Sequence, residues 1–328
     1  MAEPVISVTG LVKRYGGFEA VRGIDLDVAA GEIFGFLGPN GAGKTTTISI
    51  LSTLLRPTAG QARVAGLDVT ADPAGVRARI GLVFQDPSLD DQLTARENLE
   101  LHGMIYGVPA DLRKRRITEL LEVVELSERA GSQVRTFSGG MKRRLEIARG
   151  ILHHPQVLFL DEPTLGLDPQ TRRRIWEYLH AVRQREGITL FMTTHYMDEA
   201  EFCERIAIID SGEIVALGTP AELKAQVGGD VITLTVEDGA APAVAGEIRE
   251  RFGLEPMTDE GALRLEVPDG AAFLPRLARE MSTPLQTLTL RRPSLDDVFL
   301  KLTGHAIRDD EESGDRAVMR QFVRLRRP

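Results

Sequence analysis

The nine residues GPNGAGKTT at 38–46 follow a short apolar run, IFGFL, and precede a run with helical spacing. With a strand before it and a helix after it, G-x-x-x-x-G-K-S/T reads as a phosphate cradle and not as a chance glycine-rich turn. Gly38, Pro39, Asn40, Gly41, Ala42 and Gly43 would form the cradle, its glycines letting backbone N–H groups turn inward around phosphate oxygens. Lys44 would set a point charge by the β and γ phosphates, and the Thr45 hydroxyl, with Thr46 beside it, is placed to ligate Mg²⁺. A second stretch, VLFLDE at 157–162, is an apolar strand ending in two acids. Adjacent buried carboxylates are costly without a counter-charge, which a strand-end turn does not supply. In a Mg–nucleotide site they have separate tasks: Asp161 orients the metal's shell and Glu162 polarises the attacking water. A third stretch, RTFSGGMKRRLEIARG at 135–150, opens a helix with Ser138, Gly139 and Gly140. The first turn of a helix has unpaired N–H groups and the positive end of the dipole, so this is a second anion site in a chain that already has a better one.

Three single residues carry weaker signals. His195, in TTHYMDEA, is either a packed histidine or a γ-phosphate contact; its place at the C-terminal end of a strand, where open α/β sheets bind ligands, favours the second. Gln85, just after the strand-like run at 80–84, reads by itself as a polar residue at a strand exit. Tyr15 is either core filler or an aromatic face for adenine.

The elements that must position these groups follow from hydrophobic pattern. Strand-like runs at 33–37, 80–84, 157–160, 188–193 and 206–210 are mostly continuously apolar with helices between them, the pattern of a buried, largely parallel sheet. The helix from about Lys44 is expected to carry Ile48, Leu51 and Leu55 on one face. Ser211–Gly212 should turn a hairpin. From 86 to 150 the strand pattern gives way to helical spacing, with a capping box at Thr94 and Glu97, so a helical subdomain is expected there. A second capping box, at Thr219 and Glu222, has Pro220 at the first helical position. Beyond residue 227 alternation returns at 232–236 and 263–267, with helical runs at 241–252 and 271–281 and a capped helix from Ser294 to Gly304. The expected organisation is an α/β nucleotide-binding domain over 1–227 with a mixed sheet core, a small α+β domain over 228–306, and a flexible tail over 307–328.

Bulk properties bound the answer. The chain has 328 residues, of which 42% are hydrophobic and 27% charged, enough for more than one core. Forty Lys and Arg against 48 acids give a net charge of −8, which disfavours non-specific nucleic-acid binding, and no nucleic-acid partner is expected. One cysteine, Cys203, excludes an internal disulfide framework and fits a reducing compartment. No secretory start is visible and no run approaches the ~18 apolar residues a membrane helix needs, so any membrane role is expected to be peripheral.

Taken in order, the phosphate loop, Gln85, Ser138–Gly139–Gly140, Asp161–Glu162, Asp168 in LGLD and His195 resemble the ATP-binding cassette family, the ATPase subunits of ABC transporters, over residues 5–227. The resemblance implies a P-loop NTPase cassette fold, with ATP and Mg²⁺ as ligands. It implies that Tyr15 stacks on adenine, that Thr45, Gln85 and Asp161 serve the metal, that Glu162 is the base, and that His195 contacts γ-phosphate. Leu165–Asp168 would cross a dimer interface, and Ser138, Gly139 and Gly140 are the family signature. Phe137 and Met141 depart from the usual LSGGQ, so a polar contact at the last position does not carry over. PSLDDVFLKLTGH at 293–305 is similar to the ending of the drug-resistance branch, the ATPases of daunorubicin-type exporters. The implied protein is a homodimeric, ATP-hydrolysing subunit at the cytoplasmic face of the membrane, powering separate permease subunits. The alternatives are a soluble ABC protein of ribosomes or nucleic acid, for which one cassette without sustained heptads is unusual; a P-loop kinase or GTPase, which would not need Ser138–Gly140; and an exporter of lipid or polysaccharide.

Overall fold

A computed structural model of the chain describes residues 3–236, 240–259 and 262–304. The chain divides into two compact units between Gly218 and Thr219, ahead of the boundary at 227 expected from composition, because the capped helix Pro220–Ala225 belongs with the second unit.

The first unit is built on a six-stranded sheet in the order Glu213–Gly218, Arg205–Asp210, Ile33–Leu37, Thr189–Thr194, Val157–Asp161, Ile80–Val83. All neighbouring pairs are parallel except the first, a hairpin turned by Ser211 and Gly212, both at positive φ. The strands Ile33–Leu37, Val157–Asp161 and Thr189–Thr194 are buried throughout, in keeping with their mostly apolar character, and they bury Asp161, Thr189, Thr193 and Thr194 as well. A second, antiparallel sheet, Phe18–Val28, Ile6–Tyr15, Ala59–Val64, Leu67–Asp68, shares the core: Ile6, Val8, Leu26 and Val28 join Phe34, Phe36, Phe159 and Phe191 in one cluster. Its strands alternate buried and exposed residues, and the long first pair is broken by register shifts.

The helix after the glycine-rich loop runs Lys44–Leu51, with Ser52 as its C-cap. Leu55 therefore lies beyond it, not on its face as the spacing predicts; Thr53 at φ 66° turns the chain, and Leu55 still packs on the core from the loop. The expected helical subdomain contains Ala95–Ile105, Ala110–Val123 and Gly139–Ile151, the first opened by the Thr94–Glu97 capping box. Pro169–Glu186 is capped by Asp168 and ended by Gly187 at φ 66°, where the left-handed conformation favours glycine.

The second unit is α+β. Four antiparallel strands in the order Met257–Asp259, Ala262–Val267, Asp230–Thr235, Thr287–Arg291 carry the apolar face Ile232, Leu234, Leu263 and Leu265 against Val244, Ile248 and Leu277 of helices Ala241–Phe252 and Gly270–Glu280. Leu295–Thr303 has the Ser294–Asp297 capping box and the Gly304 stop read from the sequence. The tail expected over 307–328 lies outside the described residues.

Candidate functional site

The glycine-rich loop sits where Ile33–Leu37 leaves the sheet. Gly41 and Gly43 have φ of 82° and 106°, and a Cβ on Gly43 would lie 2.5 Å from the Ala20 carbonyl, so the turn is reserved for glycine. Gly38 N–H donates to Thr194 O at 3.2 Å, tying the loop to the strand that precedes His195. Gly43 is the N-cap of Lys44–Leu51 and supplies no side-chain cap, so the helix's first N–H groups start directly at the loop.

Lys44 is 5% exposed, and its ammonium donates to Gly38 O at 2.8 Å and Pro39 O at 3.0 Å. It also lies 3.3 Å from Glu162 Oε1, and His195 Nδ1 lies 3.2 Å from that same oxygen. Burial pushes the Glu162 carboxyl upward, but the His195 contact and the Lys44 charge outweigh it and hold the group below the usual glutamate range. Asp161 goes the other way: burial raises it, the neighbouring Glu162 charge adds to the rise, and the Thr193 hydrogen bond opposes both. Two adjacent acids are thereby separated in acidity, the usual arrangement when each has its own task.

Thr193 holds the pair in register. Its hydroxyl donates to Asp161 Oδ1 at 2.6 Å and accepts from Glu162 N–H at 3.0 Å. Thr45 Oγ1 donates to the same Asp161 oxygen at 3.4 Å. Glu162 has φ of 44°, a left-handed backbone that costs a β-carbon residue about 1 kcal/mol and ends the strand just after Asp161.

Asp161 and Thr45 supply hard oxygen donors at one place, a set suited to a divalent cation that takes its remaining ligands from water or phosphate. Among the described residues no group of three or more His, Cys, Asp or Glu is gathered as a metal centre.

Of the residues singled out from the sequence, Gly38, Pro39, Lys44, Thr45, Asp161, Glu162 and His195 are thus brought together. Asn40 and Gly41 are exposed on the loop, Ala42 and Gly43 are buried, and Thr46 is half-buried on the first turn. Gln85 is exposed just past Ile80–Val83, its carbonyl accepting from Arg143 at 2.9 Å. Tyr15 is half-buried at the end of its strand, with the Lys13 ammonium 5.2 Å from its ring centre.

Asp168 is exposed, and its carboxylate caps its own helix, accepting from Gln170 N, Thr171 N and Thr171 Oγ1 at 3.1, 3.0 and 2.6 Å. Ser138 is also an N-cap: its hydroxyl accepts from Met141 N–H at 3.3 Å, so the Met141 main chain, not its side chain, is what this turn uses. A Cβ on Gly140 would lie 2.5 Å from Thr171 Cγ2, and one on Gly139 3.6 Å from Leu167 Cδ2, so the signature turn lies against the LGLD segment. Phe137 is buried with the Arg129 guanidinium 5.5 Å from its ring centre, which gives this departure from LSGGQ a packing role.

Thr193, Thr164 and Glu199 belong to the site and carry no signal in the sequence. Glu199 is 1% exposed and accepts from Thr194 Oγ1 at 2.7 Å and from the Thr164 hydroxyl, joining the segment after Glu162 to the strand before His195. Burial raises its carboxyl, against the two threonine hydrogen bonds. The His195 and Tyr196 rings are tilted by 41° with centres 4.0 Å apart, and the Arg172 guanidinium lies 4.2 Å from the Tyr196 ring centre.

The ABC transporter family profile matches residues 21–165, and the profile of the DrrA1-3-like ATP-binding protein C-terminal domain matches 218–303. The chain is 43% identical to the daunorubicin resistance ATP-binding protein DrrA3 of Streptomyces coeruleorubidus, over 93% of this chain and 97% of the relative. It is 43% identical to the daunorubicin/doxorubicin resistance ATP-binding protein DrrA of Streptomyces peucetius, over 97% of each. It is 39% identical to the linearmycin resistance ATP-binding protein LnrL of Bacillus subtilis, over 93% of this chain and all of the relative. Among solved structures it is similar to cbiO1 of Clostridium perfringens, part of an ABC transporter complex (TM-score 0.65, 25% identity, 77% of this chain, 97% of that one). It is also similar to an ATP-binding cassette solved as a dimer in a post-hydrolysis state with ADP and Pi (TM-score 0.59, 29% identity, 65% of this chain, 98% of that one). With a phosphate loop, paired acids and a histidine at one strand-end site, and likeness along nearly its whole length, the chain belongs to the ATP-binding cassette family: it is an ABC-transporter-type ATPase with a DrrA1-3-like C-terminal domain.

Proposed function

We propose that the chain powers efflux of drugs or antibiotics through a separate membrane permease, hydrolysing ATP as a head-to-tail homodimer at the cytoplasmic face of the membrane. The observation that carries the chemical part is the convergence of Lys44 and His195 on one oxygen of Glu162, with Asp161 and Thr45 alongside. In this reading Lys44 leaves the loop carbonyls and Glu162 to meet the β and γ phosphates. Glu162, kept ionised by its neighbours, then accepts a hydrogen bond from the attacking water and takes its proton as the oxygen adds to the γ-phosphorus and ADP leaves. His195 orients Glu162 and contacts the γ-phosphate. Asp161, Thr45 and, from its loop, Gln85 would hold Mg²⁺, which when bound neutralises phosphate charge. Tyr15 would stack on the adenine.

Ser138, Gly139 and Gly140 would face the γ-phosphate held by the partner's Lys44 loop, and Asp168 would lie at the interface. This explains two anion sites in one chain, each chain contributing half of two composite sites. The dimeric post-hydrolysis neighbour supports that arrangement. Among the described residues no helix is long and apolar enough to cross a membrane. The surface of Ala95–Ile105 and its cap exposes Leu101, Met104, Ile105 and Tyr106, an apolar strip suited to docking a membrane partner. The names of the relatives, which are resistance proteins for daunorubicin, doxorubicin and linearmycin, support drug or antibiotic as the cargo class. The test is reconstitution with the permease that copurifies, measuring ATPase stimulation and transport across a compound panel. Stimulation and transport by anthracycline- or polyene-type compounds is expected; a complex stimulated only by lipid or polysaccharide would replace the cargo, and absence of any membrane partner would overturn the transporter role.

A further inference from the structure

A histidine that serves a carboxylate and a phosphate oxygen at once must hold one ring plane, because its two nitrogens diverge at a fixed angle within that plane. The main chain on either side of His195 is fixed: Gly38 N–H donates to Thr194 O at 3.2 Å, and Tyr196 N–H donates to Thr194 Oγ1 at 3.0 Å as the chain turns into Met197–Ala200. These bonds leave the ring plane open, since χ2 of histidine lies in a broad well. Glu162 does not fix it either. His195 Nδ1 comes within 3.2 Å of Glu162 Oε1, yet this buried nitrogen has no aligned hydrogen-bond partner.

What meets the imidazole is the neighbouring ring. Consecutive side chains on an extended backbone point to opposite faces, but at this turn the Tyr196 ring centre comes to 4.0 Å from that of His195, at a tilt of 41°. The Arg172 guanidinium lies 4.2 Å from the Tyr196 ring centre, inside the ~6 Å range of a cation–π contact. Arg172 main-chain N–H donates to Asp168 O at 2.9 Å, so the residue stands near the start of Pro169–Glu186, where the helix dipole disfavours a cation. Its Nε is buried without a hydrogen-bond partner, and faces Glu199 Oε1 at 3.6 Å. A guanidinium that leaves Nε unbonded is held there for its flat contact with Tyr196, which the compact ammonium of a lysine makes less well.

We infer that Tyr196 and Arg172 are positioning residues for ATP hydrolysis: the Tyr196 ring sets the plane of the His195 imidazole, and Arg172 holds the Tyr196 ring. This rests on the reading of His195 as the group that orients Glu162 and contacts the γ-phosphate. Both residues act through His195 alone. Their loss frees χ2 of His195 and slows the chemical step, while the Gly38–Thr46 loop and Lys44 keep their hold on ATP.

The test is steady-state ATPase kinetics of the full chain with Tyr196→Leu, Tyr196→Phe, Arg172→Gln, Arg172→Lys and His195→Ala, and with Tyr196→Leu and Arg172→Gln each combined with His195→Ala. Leucine fills the site without offering a ring face. Tyr196→Leu should lower kcat about tenfold or more and Arg172→Gln several-fold, with KM for ATP unchanged within about twofold. Tyr196→Phe keeps the ring and should stay within about twofold of the parent, and Arg172→Lys should fall between Arg172→Gln and the parent. In the His195→Ala background neither substitution should lower the residual turnover further, because the group they position is gone. Parental kcat in Tyr196→Leu and Arg172→Gln beside an impaired His195→Ala overturns the inference alone, as does a second loss of the same size in the His195→Ala background or a loss in Tyr196→Phe equal to that in Tyr196→Leu. Parental turnover of His195→Ala overturns the reading of His195 itself, and the inference with it. If Tyr196→Leu does not fold, the Arg172 variants carry the same comparison, and equal kcat in Arg172→Gln and the parent overturns the inference.

Discussion

Replacing Glu162 by Gln removes one charge from the point where Lys44 and His195 meet and leaves shape and hydrogen bonding nearly unchanged. The Lys44–Glu162 separation of 3.3 Å corresponds to an attraction of about 5 kcal/mol at an effective dielectric near 20, a ceiling before desolvation. Lys44 keeps the Gly38 and Pro39 carbonyls in the variant, so it is not left unpartnered. With a third of that ceiling released, ATP should bind about tenfold more tightly, since ~1.4 kcal/mol is one decade. The γ-phosphate also no longer faces a carboxylate, which acts in the same direction. Turnover should fall by about 10²–10⁴, the usual contribution of a positioned base. Fluorescent-ATP titration and phosphate release read the two quantities separately. The sign of the stability change is fixed by the same contacts: Glu162 is held below its ordinary 4.5, so it stabilises the fold above that pH and loses this as pH falls through its lower native value. The variant should therefore be less stable than the parent at neutral pH, with the gap closing in acid. Near-wild-type turnover, or weaker ATP binding in the variant, would refute the reasoning.

Three other outcomes follow from particular contacts. Asp161→Asn should raise the melting temperature of the nucleotide-free chain at neutral pH by a few degrees, roughly 2–4 °C per kcal/mol in a protein of this size, because burial raises this carboxyl above 3.8 and its charge is a cost that protonation removes; the advantage should vanish below the ordinary aspartate range, and Mg²⁺ should no longer accelerate hydrolysis. Gly38→Ala would put a Cβ 2.2 Å from the Ile209 carbonyl, so a fall in stability of about 1–3 kcal/mol with loss of ATP binding is expected in denaturant titration. Glu199→Ala should leave Thr164 and Thr194 without their shared acceptor and lower kcat more than it raises KM, an outcome that equal changes in both would contradict.

Much of the site is legible in the sequence because its parts are contiguous. The loop from Gly38 to Thr46 declares itself through two glycines that only a left-handed backbone needs, a strand before and a helix after; VLFLDE declares itself by an apolar strand with acids at its end. The capping boxes at Thr94, Thr219 and Ser294 are read at the residue because both partners lie three positions apart. Thr193 is not legible: it is one of three threonines in the strand Thr189–Thr194, and its task appears only when parallel pairing sets it opposite Asp161, 32 positions earlier. Glu199 is hidden for the same reason, an acid on a four-residue helix that reads as solvated until the fold buries it against Thr164 and Thr194. The antiparallel sheet of Ile6–Tyr15 and Phe18–Val28 is faint because its alternation is interrupted by register shifts after Val8 and near Leu11. Leu55 fits the helical spacing, yet Thr53 turns the chain before reaching it. Spacing reports what a helix would bury and says little of where it stops.

The composite site is tested most directly by sedimentation velocity of the Glu162→Gln chain with and without ATP, repeated with Ser138→Arg added and with bound ATP quantified in each sample. The account predicts a dimer only with ATP present and Ser138 intact, and monomers that still bind ATP when Ser138 is replaced. An ATP-loaded Glu162→Gln chain that stays monomeric, a dimer indifferent to Ser138→Arg, or a Ser138→Arg monomer that no longer binds ATP would contradict it.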